Sequence, residues 1–171
     1  MAKATAKRKT KTASRAAARK SSARRAVKAA AKTRAKTPAK AKRPPKQRFV
    51  ASHLKDTKFE PGLRLYAHYR DLGIAKATGG LAQAHVIRLI PPCDPAEVSK
   101  RHYHDVDFQM IYVLKGWMTS EFEGEGRHTF HAGSCWIQPP KIKHTVVGYS
   151  DDCELLEIVL PADFKTVELT K

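Results

Sequence analysis

The chain has 171 residues, of which 33 are Lys or Arg and 16 are Asp or Glu, a formal net charge of +17. Residues 1–55 contain no acid and 19 of the bases lie in residues 1–48, so the remainder, with 14 bases against 16 acids, is close to neutral. Three scattered cysteines, Cys93, Cys135 and Cys153, exclude a disulfide framework, no apolar run approaches the roughly 18 residues of a membrane span, and no short apolar core marks a secretory signal. A reduced, cytoplasmic compartment is the expectation.

The composition divides the chain into an arm, residues 1–48, and a domain, residues 49–171. The arm is built almost wholly from Ala, Lys, Arg, Ser, Thr and Pro, with no large apolar residue between Met1 and Val27. Such a segment buries too little surface to offset the entropy of ordering it, which predicts a disordered basic tail. The Ala-rich stretch 24–34 has the composition to turn helical once an anion neutralises it, and Pro38, Pro44 and Pro45 stop any helix ahead of the domain. Runs such as Lys28-Ala-Ala-Ala-Lys32 and Thr37-Pro38-Ala-Lys40 resemble the tails of linker histones and bacterial histone-like proteins. That resemblance implies sequence-indifferent binding to nucleic-acid phosphates and a nucleoid association. The expected contacts are Lys7, Arg8, Lys9, Lys11, Arg19, Lys20, Arg24, Arg25, Lys28, Lys32 and Arg34. No aromatic residue precedes Phe49, which argues against base stacking. A solvated tail without a partner is the alternative; a transit peptide would need an apolar face, and the arm has no Leu, Ile or Phe to build one.

From Phe49 the pattern changes to short apolar runs separated by turn residues. Strands are predicted at Leu63–Tyr69, Ala82–Ile90, Gln109–Lys115, Trp117–Glu123, Arg127–His131, Cys135–Gln138, His144–Tyr149 and Cys153–Leu160. Gly124-Glu-Gly126 reads as a hairpin turn, and Gly116, Gly133 and Pro139-Pro140 punctuate the rest. Residues 162–168 suggest a short helix or a closing strand. About eight short strands at roughly ten-residue spacing predict an all-β sandwich or closed jelly roll.

His102-Tyr103-His104 falls just before the strand that begins at Gln109. In an extended chain, residues i and i+2 point the same way with Cα atoms about 6.6–7 Å apart. Two imidazoles so placed can converge on one cation at about 2.0–2.1 Å, and His144, opening a strand after the Pro139-Pro140 turn, is the candidate third ligand. The stretch His102-x-His104-x4-Gln109-x6-Gly116 resembles the first motif of the cupin superfamily, and Gly133-x5-Pro139-x4-His144 resembles the second. The resemblance covers residues 80–160 and implies a small single-domain cupin, a double-stranded β-helix (jelly-roll) barrel. It further implies one divalent metal, Fe, Mn, Ni, Cu or Zn, held by His102, His104 and His144. Four positions depart from the family pattern. Gln109 replaces the usual glutamate, Ala96 and Lys141 stand where glycine is common, and Gly148 stands where asparagine is common. A neutral amide can offer an oxygen to the metal, as a ligand or one layer behind, but cannot accept a proton at neutral pH.

Glu157 shares a strand face with Leu155 and Val159 and is a candidate for the pocket, as is Arg88; His85 and Arg88 face opposite ways, so at most one points inward. His53, His68, His85, His128 and His131 read as structural or solvated, Tyr112 and Trp136 as packing residues, and Cys135 as a buried small apolar residue. The resemblance implies a mononuclear metal oxygenase, or a related lyase or isomerase, acting on a chelating organic acid, diketone or phenol. A non-catalytic metal-dependent sensor tethered to DNA is the alternative, and so is a nucleoid accessory protein whose barrel serves for dimerisation. A homodimer paired along a barrel edge is expected, with no membrane partner.

Overall fold

The computed structural model describes residues 45–169. The arm contacts expected between Lys7 and Arg34 therefore lie outside the described residues. Eleven strands form two antiparallel sheets whose inner faces close on each other as a jelly-roll barrel. The first sheet runs β1 (Glu60–Pro61), β2 (Ala67–Asp71), β3 (Gln83–Leu89), β10 (Glu154–Leu160), β5 (Phe108–Lys115) and β8 (Cys135–Ile137). The second runs β11 (Lys165–Glu168), β4 (His102–Asp105), β9 (His144–Tyr149), β6 (Trp117–Phe122) and β7 (Gly126–His131). Two short helices, α1 (Ile74–Thr78) and α2 (Pro95–Val98), sit in connections; α1 lies between Gly73 and Gly79, and Asp94 caps α2. No helix among the described residues is long and apolar enough to cross a membrane.

Strand alternation sets what faces inward. On β5, Gln109, Ile111 and Val113 are buried while Tyr112 and Leu114 are exposed. On β10, Leu155 and Val159 are buried and Glu157 shares their face. The apolar core gathers Leu89, Val98, Ile111, Val113, Met118 and Leu155, each residue of this size contributing about 1.5–3 kcal/mol when fully buried. It occupies one part of the interior. Other inward positions are polar, and the site is built where the two meet.

Most predicted strands match the observed ones to within one or two residues. Three places differ. The strand expected from Leu63 begins at Ala67, because Leu63 and Leu65 are 71% and 84% exposed in a turn, with nothing to pack against. His102–Asp105 forms a strand of its own, paired on both sides, where extended chain ahead of a strand was expected. Residues 165–168 are the closing strand and not a helix.

Gly116, between β5 and β6, adopts φ 67°. A Cβ there would lie 2.1 Å from Ser150 Oγ, 2.6 Å from Asp152 Oδ1 and 3.1 Å from the Cα of Cys153. Ser150 Oγ also accepts the Trp117 backbone N–H at 2.9 Å, so displacing it breaks a turn contact. Gly116→Ala should lower the unfolding free energy by about 2–3 kcal/mol, read from the urea midpoint. Gly124→Ala, at φ 83° with open space around it, should cost only about 1 kcal/mol. Equal losses at the two positions would remove crowding as the reason for glycine at 116.

Candidate metal centre

Three histidines meet because of a single register contact. Strands β4 and β9 pair through His102 opposite His144, and His104 lies two residues further along the same face of β4. Ring centroids are 4.3 Å apart for His102–His144, 5.1 Å for His102–His104 and 5.2 Å for His104–His144. One nitrogen from each ring lies within 4.8 Å of the others. The β8–β9 connection fixes the third ring: the Lys141 N–H donates to the His104 carbonyl at 3.0 Å, and Lys141 takes φ 63°, the conformation that favours the glycine common there in the family pattern.

Two of the tautomers follow from the partners. His102 Nδ1 lies 2.7 Å from the Lys100 carbonyl and His144 Nδ1 lies 3.0 Å from that of Ile142. A carbonyl only accepts, so both Nδ1 atoms carry the proton and both Nε2 atoms present lone pairs. His104 Nδ1 is 2.9 Å from Thr166 Oγ1 on β11, a hydroxyl that either donates or accepts, so this contact orients the ring without assigning its tautomer. Burial disfavours the cations: the His102 pKa is lowered to about 4, that of His144 to about 3, and that of His104 is lowered too. Three neutral, oriented imidazoles fit a divalent ion of the zinc or iron type. Nitrogens about 2.1 Å from one ion lie roughly 3–3.4 Å apart, so the rings need close by less than about an ångström each.

Behind the histidines runs a chain of buried polar side chains. His85 Nε2 on β3 is 2.6 Å from Glu157 Oε2 on β10, and Gln109 Nε2 on β5 donates to Glu157 Oε1 at 2.6 Å. Gln138 Nε2 donates to Gln109 Oε1 at 2.9 Å and lies 3.1 Å from His144 Nε2. Burial raises the Glu157 pKa, but hydrogen bonds from His85 and Gln109 outweigh it, and the net direction is down. Glu157 is therefore a carboxylate at neutral pH.

These residues line one cavity of about 650 Å³. Of the residues singled out from the sequence, His102, His104, Gln109, His144 and Glu157 all line it. Arg88 does not. Its guanidinium bonds Glu154 at 2.8 Å and sits 3.8 Å over the Phe59 ring, on the other face of β3. Cys135, expected to be buried, is exposed on the short edge strand β8, where little covers it. Cys153 is the buried cysteine, its pKa pushed up to about 12 by desolvation. Trp136 stacks on Phe130 at 3.9 Å and also lines the cavity.

Two members of the polar chain are not among the site residues expected from the sequence. His85, which reads there as structural or solvated and as facing away from Arg88, is the one of that pair on the inner face, opposite Glu157 in the β3–β10 register. Gln138 ends the predicted strand 135–138, and its signal was a second uncharged amide, next to Pro139, at a core-facing position. His53, His128 and His131 are exposed.

Residues 93–159 match the family model described as a cupin domain. Among solved structures, the polyketide cyclase RemF from Streptomyces resistomycificus aligns with TM-score 0.58 and 18% identity over 72% of this chain and 87% of its own. KdgF from Halomonas sp. aligns with TM-score 0.53 and 17% identity over 65% and 94%. Oxalate decarboxylase from Bacillus subtilis aligns with TM-score 0.52 and 17% identity over 74% of this chain but 34% of its own. No curated protein matches the sequence. At these identities the structural likeness is one of fold, and with the family match it supports the cupin superfamily for this barrel.

The depressed histidines set the acid stability of the metal-free protein. Each binds a proton near pH 6.5 when unfolded, but only near about 4 (His102) or about 3 (His144) when folded. Between these limits the unfolded state holds more protons, so stability is full above pH 6.5 and is lost as the pH falls toward 3. His144→Gln removes one such group and should flatten the decline in unfolding free energy, measured by urea titration at each pH, by up to ~1.4 kcal/mol per pH unit. An unchanged slope would refute desolvation as the cause.

Proposed function

We propose that the barrel holds one divalent metal on His102, His104 and His144, with the Gln109 amide oxygen as a further donor, and acts as an enzyme on a small organic substrate that chelates through oxygen. The observation that carries this is the convergence of three carbonyl- or hydroxyl-oriented imidazoles in the same cavity as a buried His–Glu pair. The donor set suits Fe, Mn, Ni, Cu or Zn. When bound, such an ion supplies Lewis acidity toward a substrate oxygen. The four candidate donors are all neutral, so the chain itself favours an anionic oxygen ligand at that point.

The remaining chemistry belongs to His85 and Glu157. Glu157 accepts from His85 Nε2 and so fixes the imidazole tautomer, with Nδ1 as the lone-pair nitrogen of the neutral ring. A neutral imidazole backed by a carboxylate accepts a proton and holds it as a stabilised imidazolium. From the sequence, Gln109 in place of a glutamate weighed against acid–base steps; Glu157 restores a carboxylate one side chain further back. The geometry accordingly favours the proton-transfer branch of the expected activities, isomerase or lyase, over dioxygen chemistry. Fold neighbours named as a polyketide cyclase and an oxalate decarboxylase agree with an enzyme in this barrel. The basic arm belongs to the proposal as a non-specific anchor on nucleic acid, and a second copy paired along a sheet edge as the oligomeric state.

Freshly purified full-length protein should carry about one divalent ion per chain, and His144→Ala should lose it while keeping its circular dichroism. In deuterated water, 2-oxo acids and β-diketones should exchange the hydrogens beside the carbonyl, and His85→Ala should slow exchange by roughly 10²–10⁴. Oxygen uptake without exchange would point to an oxygenase instead, and ligand-induced stabilisation with neither would point to a sensor. For the arm, affinity for duplex DNA should be indifferent to sequence and fall by roughly 10³ or more between 50 and 200 mM salt. Binding that ignores salt would contradict a phosphate-contacting arm.

A further inference from the structure

Arg64 lies in the turn between β1 and β2 and lines the same cavity as the histidines. Its side chain is 10% exposed, unusual for a residue in a surface turn. One terminal nitrogen, Nη1, bonds the Glu168 carboxylate on β11. The other, Nη2, is buried and has no hydrogen-bond partner among the described residues. A guanidinium N–H removed from water and left unpaired is costly, and such groups in folded proteins call for a partner.

The register says where this nitrogen sits. Glu168 stands directly opposite His102 across β11 and β4, and Thr166, the partner of His104 Nδ1, stands opposite His104. Arg64 is therefore tied to the His102 end of the metal centre. Burial is the main cause of the low pKa values of His102 and His104, and the positive field of Arg64 lowers both further. Lys58, exposed, is the other cation among the cavity-lining residues. The acids of the wall are otherwise engaged or peripheral: Glu157 is bonded to His85, and Glu60 and Asp71 are exposed. The cavity lining also includes apolar side chains, Tyr66, Ile87, Leu89, Met118 and Leu155 among them.

We infer that Arg64 Nη2 receives a carboxylate carried by the substrate at a distance from its chelating oxygens. The substrate class is then a small organic acid with two polar ends, one toward the histidines and one toward the arginine fork. The guanidinium matches a carboxylate in shape and charge, and Glu168 holds the fork in place while occupying only one of its arms. This inference rests on the metal-chelating reading above.

The test uses the full-length chain loaded with Co(II) and matched pairs of 2-oxo acids. Oxaloacetate, 2-oxoglutarate and 2-oxoadipate each chelate through the 2-oxo acid end and carry a distal carboxylate. Their monocarboxylate counterparts of equal chain length lack it. Calorimetric affinities should favour at least one diacid over its counterpart by tenfold or more, and the preferred length reports the span from metal to arginine. Arg64→Met should abolish that preference, so that diacid and monocarboxylate affinities converge. Glu168→Gln, which loosens the arm that Glu168 holds, should weaken diacid binding more than monocarboxylate binding. No diacid preference in the wild type, or a preference that survives Arg64→Met, overturns the inference. The cobalt d–d bands of the same samples separate the two readings. If they shift with the monocarboxylates while the preference is absent, only the role of Arg64 falls; if the protein develops no cobalt bands, the metal reading falls and this inference with it.

Discussion

A carboxylate enclosed in a β-barrel has to be satisfied from inside, and the organisation of this site follows from how Glu157 is satisfied. The group only accepts, so each neighbour must turn a donor toward it. His85 presents Nε2–H, and Gln109 presents its amide nitrogen. Once that nitrogen is committed, the Gln109 oxygen is forced to the opposite side, where Gln138 Nε2 meets it and reaches on to His144. The amide orientation at Gln109 is thereby assigned by the carboxylate behind it. The chain of contacts begins on β3, crosses β10 and β5, and passes through the residue after β8 to β9 in the other sheet. Its members sit at alternate, inward positions, so a one-residue slip of β10 would turn Glu157 outward and orphan both partners.

The same arrangement relocates charge. Where the family pattern has a glutamate among the metal ligands, this chain offers a neutral amide and keeps its carboxylate one side chain further from the histidines. An ion in the centre would face uncharged donors and retain more of its charge for a substrate oxygen. The displaced carboxylate is not lost to the site, because it now orients His85 at the cavity wall. With a metal on the proposed donors, Gln109 in place of a glutamate would couple a more electrophilic centre to a backed imidazole.

Much of this was legible in the sequence because it rests on local spacing. His102-x-His104, the Gly133 to His144 interval and the short alternating strands are properties of contiguous residues, and strand geometry turns them directly into a shared face. The alternation of β10 likewise put Glu157 on the inner face with Leu155 and Val159. His85 lines the pocket and Arg88 does not, for one reason: which face of β3 looks inward is decided by its pairing with β2 and β10, a non-local register that periodicity in a mixed polar strand does not reveal. Leu63 and Leu65 misled in the opposite sense, since apolar alternation predicts a strand only when a partner covers it. Cys135 was assigned by the usual burial of its residue type, which an edge strand of three residues does not provide.

The division of labour between the matched and unmatched parts of the chain has a consequence for specificity. Residues 93–159, which match the cupin domain, contain His102, His104, Gln109, Gln138, His144 and Glu157, the whole floor of the cavity. His85 and Arg64 come from before that span, and Thr166 and Glu168 from after it. Strand β11 joins the two sets: through Thr166 it orients a histidine of the floor, and through Glu168 it holds the arginine at the wall. The elements proposed to choose a substrate are therefore tied by hydrogen bonds to the elements that would hold the metal, though they lie outside the span that matches the cupin domain. A barrel built this way can change what it accepts by altering β11 and the β1–β2 turn, while the register contact between His102 and His144 stays as it is.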